Sequence, residues 1–371
     1  MLSVAVSWDL YVQTKSAIVL GNVGFVQVAP FLMFALFAGH VADHFDRRRI
    51  MILTQILFLV ASGSLVFGFR SVAAIYACLF LTAMARSFQW PARLGVLPLI
   101  VPPETLSNGI TWNSSVQEIA SVSGPAAAGI LLATVGSHSV YLIQVVCAIL
   151  TLLCYVGLRY RGKSADAGSR APDRKSLLEG ARFVWQNKLI LPAISLDLFG
   201  VLFGGATALL PIYAVDILHA GVVGLGWLRA APSIGAVLMA VVSAHSKKVV
   251  AAGHRLLFAV AGFGAATIVF GLSRSFWLSF AMLLLTGAFD NISVVLRHSL
   301  VQTQTPDRLR GRVLAVNSIF ISSSNQFGAV ESGWTAAWFG AVWSVVGGGI
   351  ATIGVVAVCA ALSIPLRRWR Q

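Results

Sequence analysis

Charge is what this sequence has least of. Only 11% of its 371 residues are Asp, Glu, Lys or Arg, against about 25% in a soluble domain. A water-facing surface cannot be built from so few, and 57% of the residues are hydrophobic, with a mean hydropathy of +0.83. Soluble globular, disordered and coiled-coil architectures are therefore excluded. Cysteine is sparse too. Cys78, Cys147, Cys154 and Cys359 lie in apolar runs without close pairs, which leaves them as packed small hydrophobes and excludes a disulfide framework. The 7 histidines fall at the ends of apolar runs or between them. None has metal-ligand spacing, so neither a metal nor a cofactor is expected. The sequence holds no phosphate-binding Gly-x-x-x-x-Gly-Lys loop and no Gly-x-Ser-x-Gly elbow. An enzyme is not expected, and energy for any work would come from an ion gradient or a partner. Met1–Val12 is apolar but has neither a basic start nor a small-residue cleavage site, so it is not read as a secretory signal.

What is present is a series of long apolar runs separated by basic clusters. The net charge is +14, from 27 Lys and Arg against 13 Asp and Glu. In a soluble protein this excess would suggest nucleic acid, but its distribution argues otherwise. Arg47–Arg49, the segment from Arg159 to Lys188, Lys247–Arg255, Arg297–Arg312 and Arg367–Arg370 hold 21 of the 27 basic residues, Arg86, Arg93 and Arg229 lie within apolar runs, and the alternate junctions hold only Lys15, Arg70 and Arg274. This is the positive-inside bias of a polytopic membrane protein. It places the basic loops and the C-terminus in the cytoplasm, with the lipid bilayer rather than nucleic acid as partner.

The apolar runs predict spans over Met1–Val12, Ile18–Ala42, Ile50–Phe69, Ser71–Leu99, Leu106–Thr134 and Ser139–Leu158. After a polar segment come Leu189–Val215, Gly221–Ala244, Arg255–Leu272, Phe276–Arg297, Val313–Trp338 and Val342–Leu366. The first is too short, because a helix of about a dozen residues rises about 18 Å against a hydrocarbon core of about 30 Å. The half before Arg159 is also shorter than the half after Lys188 by about one helix. The first helix is accordingly expected to be truncated at its N-terminus. Within residues 159–188, Gly162–Asp173 reads as flexible linker. Lys175–Lys188, with Leu177, Leu178, Ala181, Phe183, Val184 and Trp185 among charges, reads as a helix on the membrane surface. The expected organisation is an N-terminal bundle (1–158), a cytoplasmic linker (159–188) and a C-terminal bundle (189–371). Two like-sized bundles are the layout of alternating-access carriers, with the substrate site between halves.

Three motifs sharpen this. The run Gly39-His-Val-Ala-Asp43-His44-Phe45-Asp46-Arg47-Arg48-Arg49 resembles the loop joining helices 2 and 3 in the major facilitator superfamily, with His44 where that family usually has Arg. Ser123-Gly124-Pro125-Ala-Ala-Ala-Gly129 is similar to the helix-5 motif of superfamily antiporters. It reads equally as a plain kink, because Pro125 removes a backbone donor. Pro306-Asp307-Arg308-Leu309-Arg310-Gly311-Arg312-Val313, with Asn317-Ser318, Ser324-Asn325 and Glu331-Ser332-Gly333, resembles the enterobactin exporter and transmembrane secretion effector (drug efflux) branch, as does the opening Trp8-Asp9-Leu10-Tyr11-Val12-Gln13-Thr14. The resemblance covers essentially the whole chain apart from the linker. It implies an all-α membrane protein of the major facilitator fold, two six-helix bundles, exporting small amphipathic molecules by proton antiport. It also assigns the loop residues Gly39, Asp43, Arg47 and Arg48, with Arg310, to conformational gating.

A charge held inside the bilayer is costly, about 2.5–3.5 kcal/mol on insertion scales, and so is a functional candidate. The candidates for proton coupling or substrate contact are Asp9, Arg86, Glu118, Asp197, Asp290 and Glu331. Asp9 lies beside Trp8 and Tyr11, where a cationic or aromatic solute would be met by an acid and aromatics. Arg86, in Arg86-Ser-Phe-Gln89-Trp90, either pairs with Glu118 across helices 4 and 5 or snorkels, as Arg93 would, to the cytoplasmic face. Asp290 belongs either to a structural network with Asn291 and Ser293 or to the substrate path. Arg229 would pair with Asp197 or Asp290. Glu331 shares a helix with Ser322–Gln326, a polar run expected to line a water-filled cavity. The function expected is proton-coupled efflux of a drug-like or siderophore-like solute by a monomer in a bacterial inner membrane. Uptake by symport, and a non-transporting remnant, are the alternatives.

Overall fold

The computed structural model describes residues 1–68, 71–158, 174–245 and 252–369, and the side chains of some helical residues within these ranges are not described. The expected linker residues 159–173 lie outside the described residues. Those described are helical throughout, as a bilayer requires: with no water in the hydrocarbon, backbone donors and acceptors must be satisfied within a segment.

The helices are α1 (Leu2–Thr14), α2 (Ala17–His44), α3 (Arg47–Val66), α4 (Val72–Ile100), α5 (Leu106–Gly157), α6 (Arg174–Gln186), α7 (Ile190–Gly204), the short α8 (Leu210–Ile212), α9 (Gly221–His245), α10 (Ala252–Leu272), α11 (Phe276–Gln304), α12 (Asp307–Phe339), α13 (Ala341–Leu362) and α14 (Ile364–Arg368). Among the described residues, 9 stretches are long and apolar enough to cross a membrane. One of them, Asn108–Gly157, spans 50 residues and contains two expected spans, because α5 breaks at Gly136, where φ is 76°. Helix α12 is 33 residues long but is not among the 9, since its basic start and central polar run dilute its apolar character. Both α11 and α12 run beyond the apolar stretches, to Gln304 and from Asp307. Helices do not end where hydrophobicity does.

The chain forms two compact units: residues 1–10 with 25–171, and residues 11–24 with 172–371. In the first, α3 packs on α4 and α5. Its interior carries a polar thread, because Gln89 donates to Gln55 Oε1 (3.1 Å) and Gln55 donates to the Ala148 carbonyl (3.1 Å). In the second, α9 packs on α11, α10 on α11 and α13, and α7 on α12 and α13. Its core includes Ile190, Ile194, Leu196, Leu256, Val260, Leu300 and Val313.

The α9–α11 crossing is close enough for backbones to touch. A Cβ at Gly287 would stand 1.8 Å from the Pro232 carbonyl oxygen, the kind of approach that small residues permit between membrane helices. Gly287→Ala is expected to destabilise the protein by about 1–3 kcal/mol through overpacking. Thermal unfolding in detergent micelles checks this, with Gly347→Ala, whose Cβ meets nothing within 4 Å, unfolding no earlier than the parent.

Candidate functional site

The most deeply buried charges lie in the second unit. Arg297 of α11 is 1% exposed and Asp197 of α7 is 6% exposed, and the two form an ion pair between Arg297 Nη1 and Asp197 Oδ1. Asp290 stands seven residues before Arg297, two turns along α11 and on the same face. It interacts electrostatically with both members of the pair, as does His298. Asp197, Asp290, Ser293 and Gly200 line a small cavity closed by apolar Leu196, Val260 and Phe263, of about 10 Å³, room for roughly one water molecule. The expectation for Asp197 is corrected in its partner, which is Arg297 and not Arg229. The reason is tertiary: α7 packs on α11, whereas Arg229 is carried by α9.

Glu331 is partly buried on α12. The Ser332 hydroxyl lies 3.4 Å from Glu331 Oε2 and 3.2 Å from the Gly205 carbonyl. Beside it, Gly333 meets Gly21 so closely that a Cβ on Gly333 would fall 2.4 Å from the Gly21 Cα, and Trp334 Nε1 donates to Asn22 Oδ1 (3.2 Å). In the polar run of α12, Ser324 Oγ and Asn325 Nδ2 both donate to the Ile321 carbonyl at 2.9 Å. These two groups are satisfied by their own helix.

Asp9 and Tyr11 do not share a site. Two residues apart on a helix point to nearly opposite sides. Asp9, 8% exposed, accepts from the Tyr141 hydroxyl at 2.8 Å within the first unit. Tyr11 donates to Asp216 in the second unit, where Lys15 Nζ lies 3.9 Å from Asp216 Oδ1 and 4.9 Å from the Tyr11 ring centroid. Neither Tyr141 nor Asp216 was legible as a partner. Tyr141 is one aromatic in an apolar run, and Asp216 sits at a span end in a π-helical turn, Tyr213–Ile217.

Arg86 and Glu118 are both exposed in the first unit and, among the described residues, form no ion pair with each other. The α4–α5 register brings Arg93 opposite Asn113 instead, with Nη2 donating to Oδ1 at 3.1 Å. Gly124, Pro125 and Gly129 lie in the part of α5 that precedes the break at Gly136, and the nearest atom to a Cβ at Gly124 is the Met1 nitrogen, at 3.7 Å.

The basic loop proves mostly helical. Helix α2 runs through Gly39 and Asp43 to His44, and Asp46 caps α3 by accepting from Arg48 N at 2.8 Å. Arg47 Nη1 donates to the Gly95 carbonyl of α4 (2.6 Å), and Arg48 donates to the Tyr155 carbonyl (3.2 Å) and to that of Val156. Arg48 suits Tyr155 and Val156, which lie in the last turn of α5, because the last carbonyls of a helix lack helical partners and carry the negative end of its dipole. The side-chain surroundings of Asp43 and Arg310 lie outside the described residues, as does the placement of Gly39 against neighbours. On the second unit's side, Arg312 pairs with Glu179 of α6. Among the described residues no group of His, Cys, Asp or Glu is arranged to hold a metal ion.

A bundle of this kind, all-helical with paired charges buried in membrane-length helices, is found in carriers of the major facilitator fold. A bacterial homolog of the human lysosomal transporter Spinster, in an inward-facing and occupied conformation, matches with a TM-score of 0.77 at 15% identity, over 99% of this chain and 94% of that one. The nucleoside transporter NupG matches with a TM-score of 0.72 at 11% identity, over 98% and 94%. At the sequence level, the enterobactin exporter EntS of Escherichia coli O1:K1 / APEC is 26% identical over 377 aligned positions, covering 100% of this chain and 89% of that protein. The EntS of Citrobacter koseri is 27% identical over the same shares. The transmembrane secretion effector family model matches residues 1–371, and the chain belongs to that family. It is thus a multi-pass membrane transporter of the major facilitator type, whose substrate is a small molecule.

Removing one partner of a buried ion pair leaves an uncompensated charge, at about 3–5 kcal/mol. Asp197→Asn is therefore expected to lower the unfolding midpoint in detergent sharply. The double variant Asp197→Leu with Arg297→Met, which removes both charges, is expected to recover most of that loss. Arg48→Met, which gives up charge-assisted bonds of about 1.5–3 kcal/mol each at most, is expected to destabilise to a lesser degree, because its end is solvated.

Proposed function

We propose that the chain exports a small amphipathic solute, drug-like or siderophore-like, in exchange for protons across a bacterial inner membrane. It would act as a monomer with its C-terminus in the cytoplasm, and the bundles of residues 1–158 and 189–371, joined by 159–188, would open to the two sides in turn. The observation that carries the reading is the buried Asp197–Arg297 pair between α7 and α11, whose Asp197 lines a water-sized space together with Asp290. Ionisable groups kept at such depth are costly unless they are used. A proton arriving at Asp197 would remove the charge that holds Arg297, and Asp290, two turns earlier on the same face of α11, would then be the acid left to attract that guanidinium. Proton uptake and release thereby become a change in how α7 and α11 are held together. Glu331, partly buried on α12, is a further intramembrane acid of this half. Support for the class of solute and for the outward direction comes from the relatives that carry the name enterobactin exporter. The Gly124-Pro125 motif in α5, similar to that of superfamily antiporters, favours exchange over symport.

The test is flux into everted membrane vesicles with an acidified lumen, across lipophilic cations, macrolides and catecholate siderophores. Exchange predicts that at least one of them accumulates, and that a protonophore abolishes the accumulation. Asp290→Asn and Glu331→Gln are expected to reduce it to the protonophore level, while Glu118→Gln, exposed in the other unit, leaves the gradient dependence in place. Full gradient dependence in both Asp290→Asn and Glu331→Gln would remove these residues from the coupling. Solute expelled from the vesicles on acidification would mean symport.

A further inference from the structure

A groove of about 840 Å³ runs along the second unit between α7 and α13. Its walls are apolar: Leu191, Phe199 and Phe203 on one side, Val355, Val358 and Leu362 on the other. Val358 is 58% exposed and Leu362 81%, so the groove opens outward. Gly354 lines it, and a Cβ there would meet nothing within 4 Å. From Leu191 to Phe203 the helix rises about 18 Å, close to the depth of one leaflet, half of a core of about 30 Å.

The two ends of the groove differ in character. The deep end is lined by Phe203 and Ala351, whereas the mouth gathers polar groups: Lys188, exposed, Asn187, and Ser363. Asn187 Oδ1 accepts from Leu189 N and Ile190 N at 2.9 Å, which sets the N-terminus of α7 at the mouth. Ser363 is 7% exposed, yet its buried Oγ has no hydrogen-bond partner among the described residues. Arg367 and Arg368, exposed, follow within one turn of the lining residue Pro365. Trp185, 74% exposed, stands at the same mouth, as tryptophans do at the membrane interface.

We propose that this groove binds one anionic glycerophospholipid, its acyl chain lying between α7 and α13 and its phosphate at Lys188 and Ser363, beside the Asn187-capped start of α7. The match is of length and of charge. An apolar slot one leaflet deep ends in a buried, unused hydroxyl donor and a lysine, with further arginines at hand. By the distribution of basic loops this is the cytoplasmic leaflet, where anionic headgroups attract such clusters. The groove is lined by the second unit alone, so the proposal stands whatever ion drives transport.

The test uses the full chain, purified and delipidated in a non-ionic detergent, titrated with dioleoylphosphatidylglycerol or dioleoylphosphatidylcholine and read by native mass spectrometry and by the unfolding midpoint. Phosphatidylglycerol is expected to bind with a stoichiometry of one and to raise the midpoint, and phosphatidylcholine to bind more weakly. Lys188→Ala is expected to weaken phosphatidylglycerol about fivefold, the share of one basic side chain near an anionic headgroup. Gly354→Leu, which sends a side chain into the slot from a Cβ position that meets nothing within 4 Å, is expected to abolish binding of both lipids while keeping the parent midpoint in their absence. Glycerol phosphate, the headgroup without chains, is expected to give no shift. Unchanged lipid binding in Gly354→Leu, equal affinity for the two lipids, or a full shift with glycerol phosphate would each overturn the assignment. So would displacement of the lipid by a transported solute together with loss of flux in Gly354→Leu, which would make the groove a solute site.

Discussion

Hydrocarbon offers no hydrogen bonds and no counter-ions, and that single constraint organises this protein. It makes the described backbone helical, and it leaves a buried charge in need of a partner carried by the protein itself. Asp197 and Arg297 meet this demand directly, across two helices, with Asp290 one face-repeat away along α11. Asp9 meets it with a neutral donor, Tyr141. Uncharged polar side chains meet it locally, by bonding back to their own helix, as Ser324 and Asn325 do. The same constraint explains why a buried hydroxyl left over at a groove mouth, that of Ser363, carries information.

The intramembrane acids therefore divide by what faces them. Asp9 is held by a tyrosine in one unit and fixes α1 to α5. Asp197 is held by an arginine with a second acid close by, an arrangement in which one proton alters three interactions at once. Among the described residues, Glu331 has the Ser332 hydroxyl within reach, and Glu118 is exposed. Sequence alone ranks these residues together, since each is simply an acid in an apolar run. Their surroundings in the fold are what distinguish them.

Arginines and glycines carry the rest. Arg47 and Arg48 lie in a positive cluster that the bias of basic loops already accounts for, yet each reaches a particular helix carbonyl, on α4 and α5 respectively. From the start of α3 they tie it to α4 and to the last turn of α5. Glycines do the corresponding work along helix faces: Gly287 against Pro232, and Gly21 against Gly333. In both pairs the missing Cβ is the contact itself.

Much was legible in the sequence because it depends on local chemistry. The scarcity of charge, the length of the apolar runs, the basic clusters and the superfamily motifs were sufficient for the class of fold, the membrane and the helix order. The break expected between Thr134 and Ser139 appears at Gly136, because only a glycine settles comfortably at its positive φ. What sequence could not contain was register. Whether Arg86 or Arg93 faces α5, whether Asp197 meets Arg229 or Arg297, and where Tyr11 turns when Asp9 points the other way all depend on how helices rotate and slide against one another. That is set by the sum of many weak side-chain contacts between segments far apart in the chain, so no single stretch of residues records it, and only the tertiary structure decides.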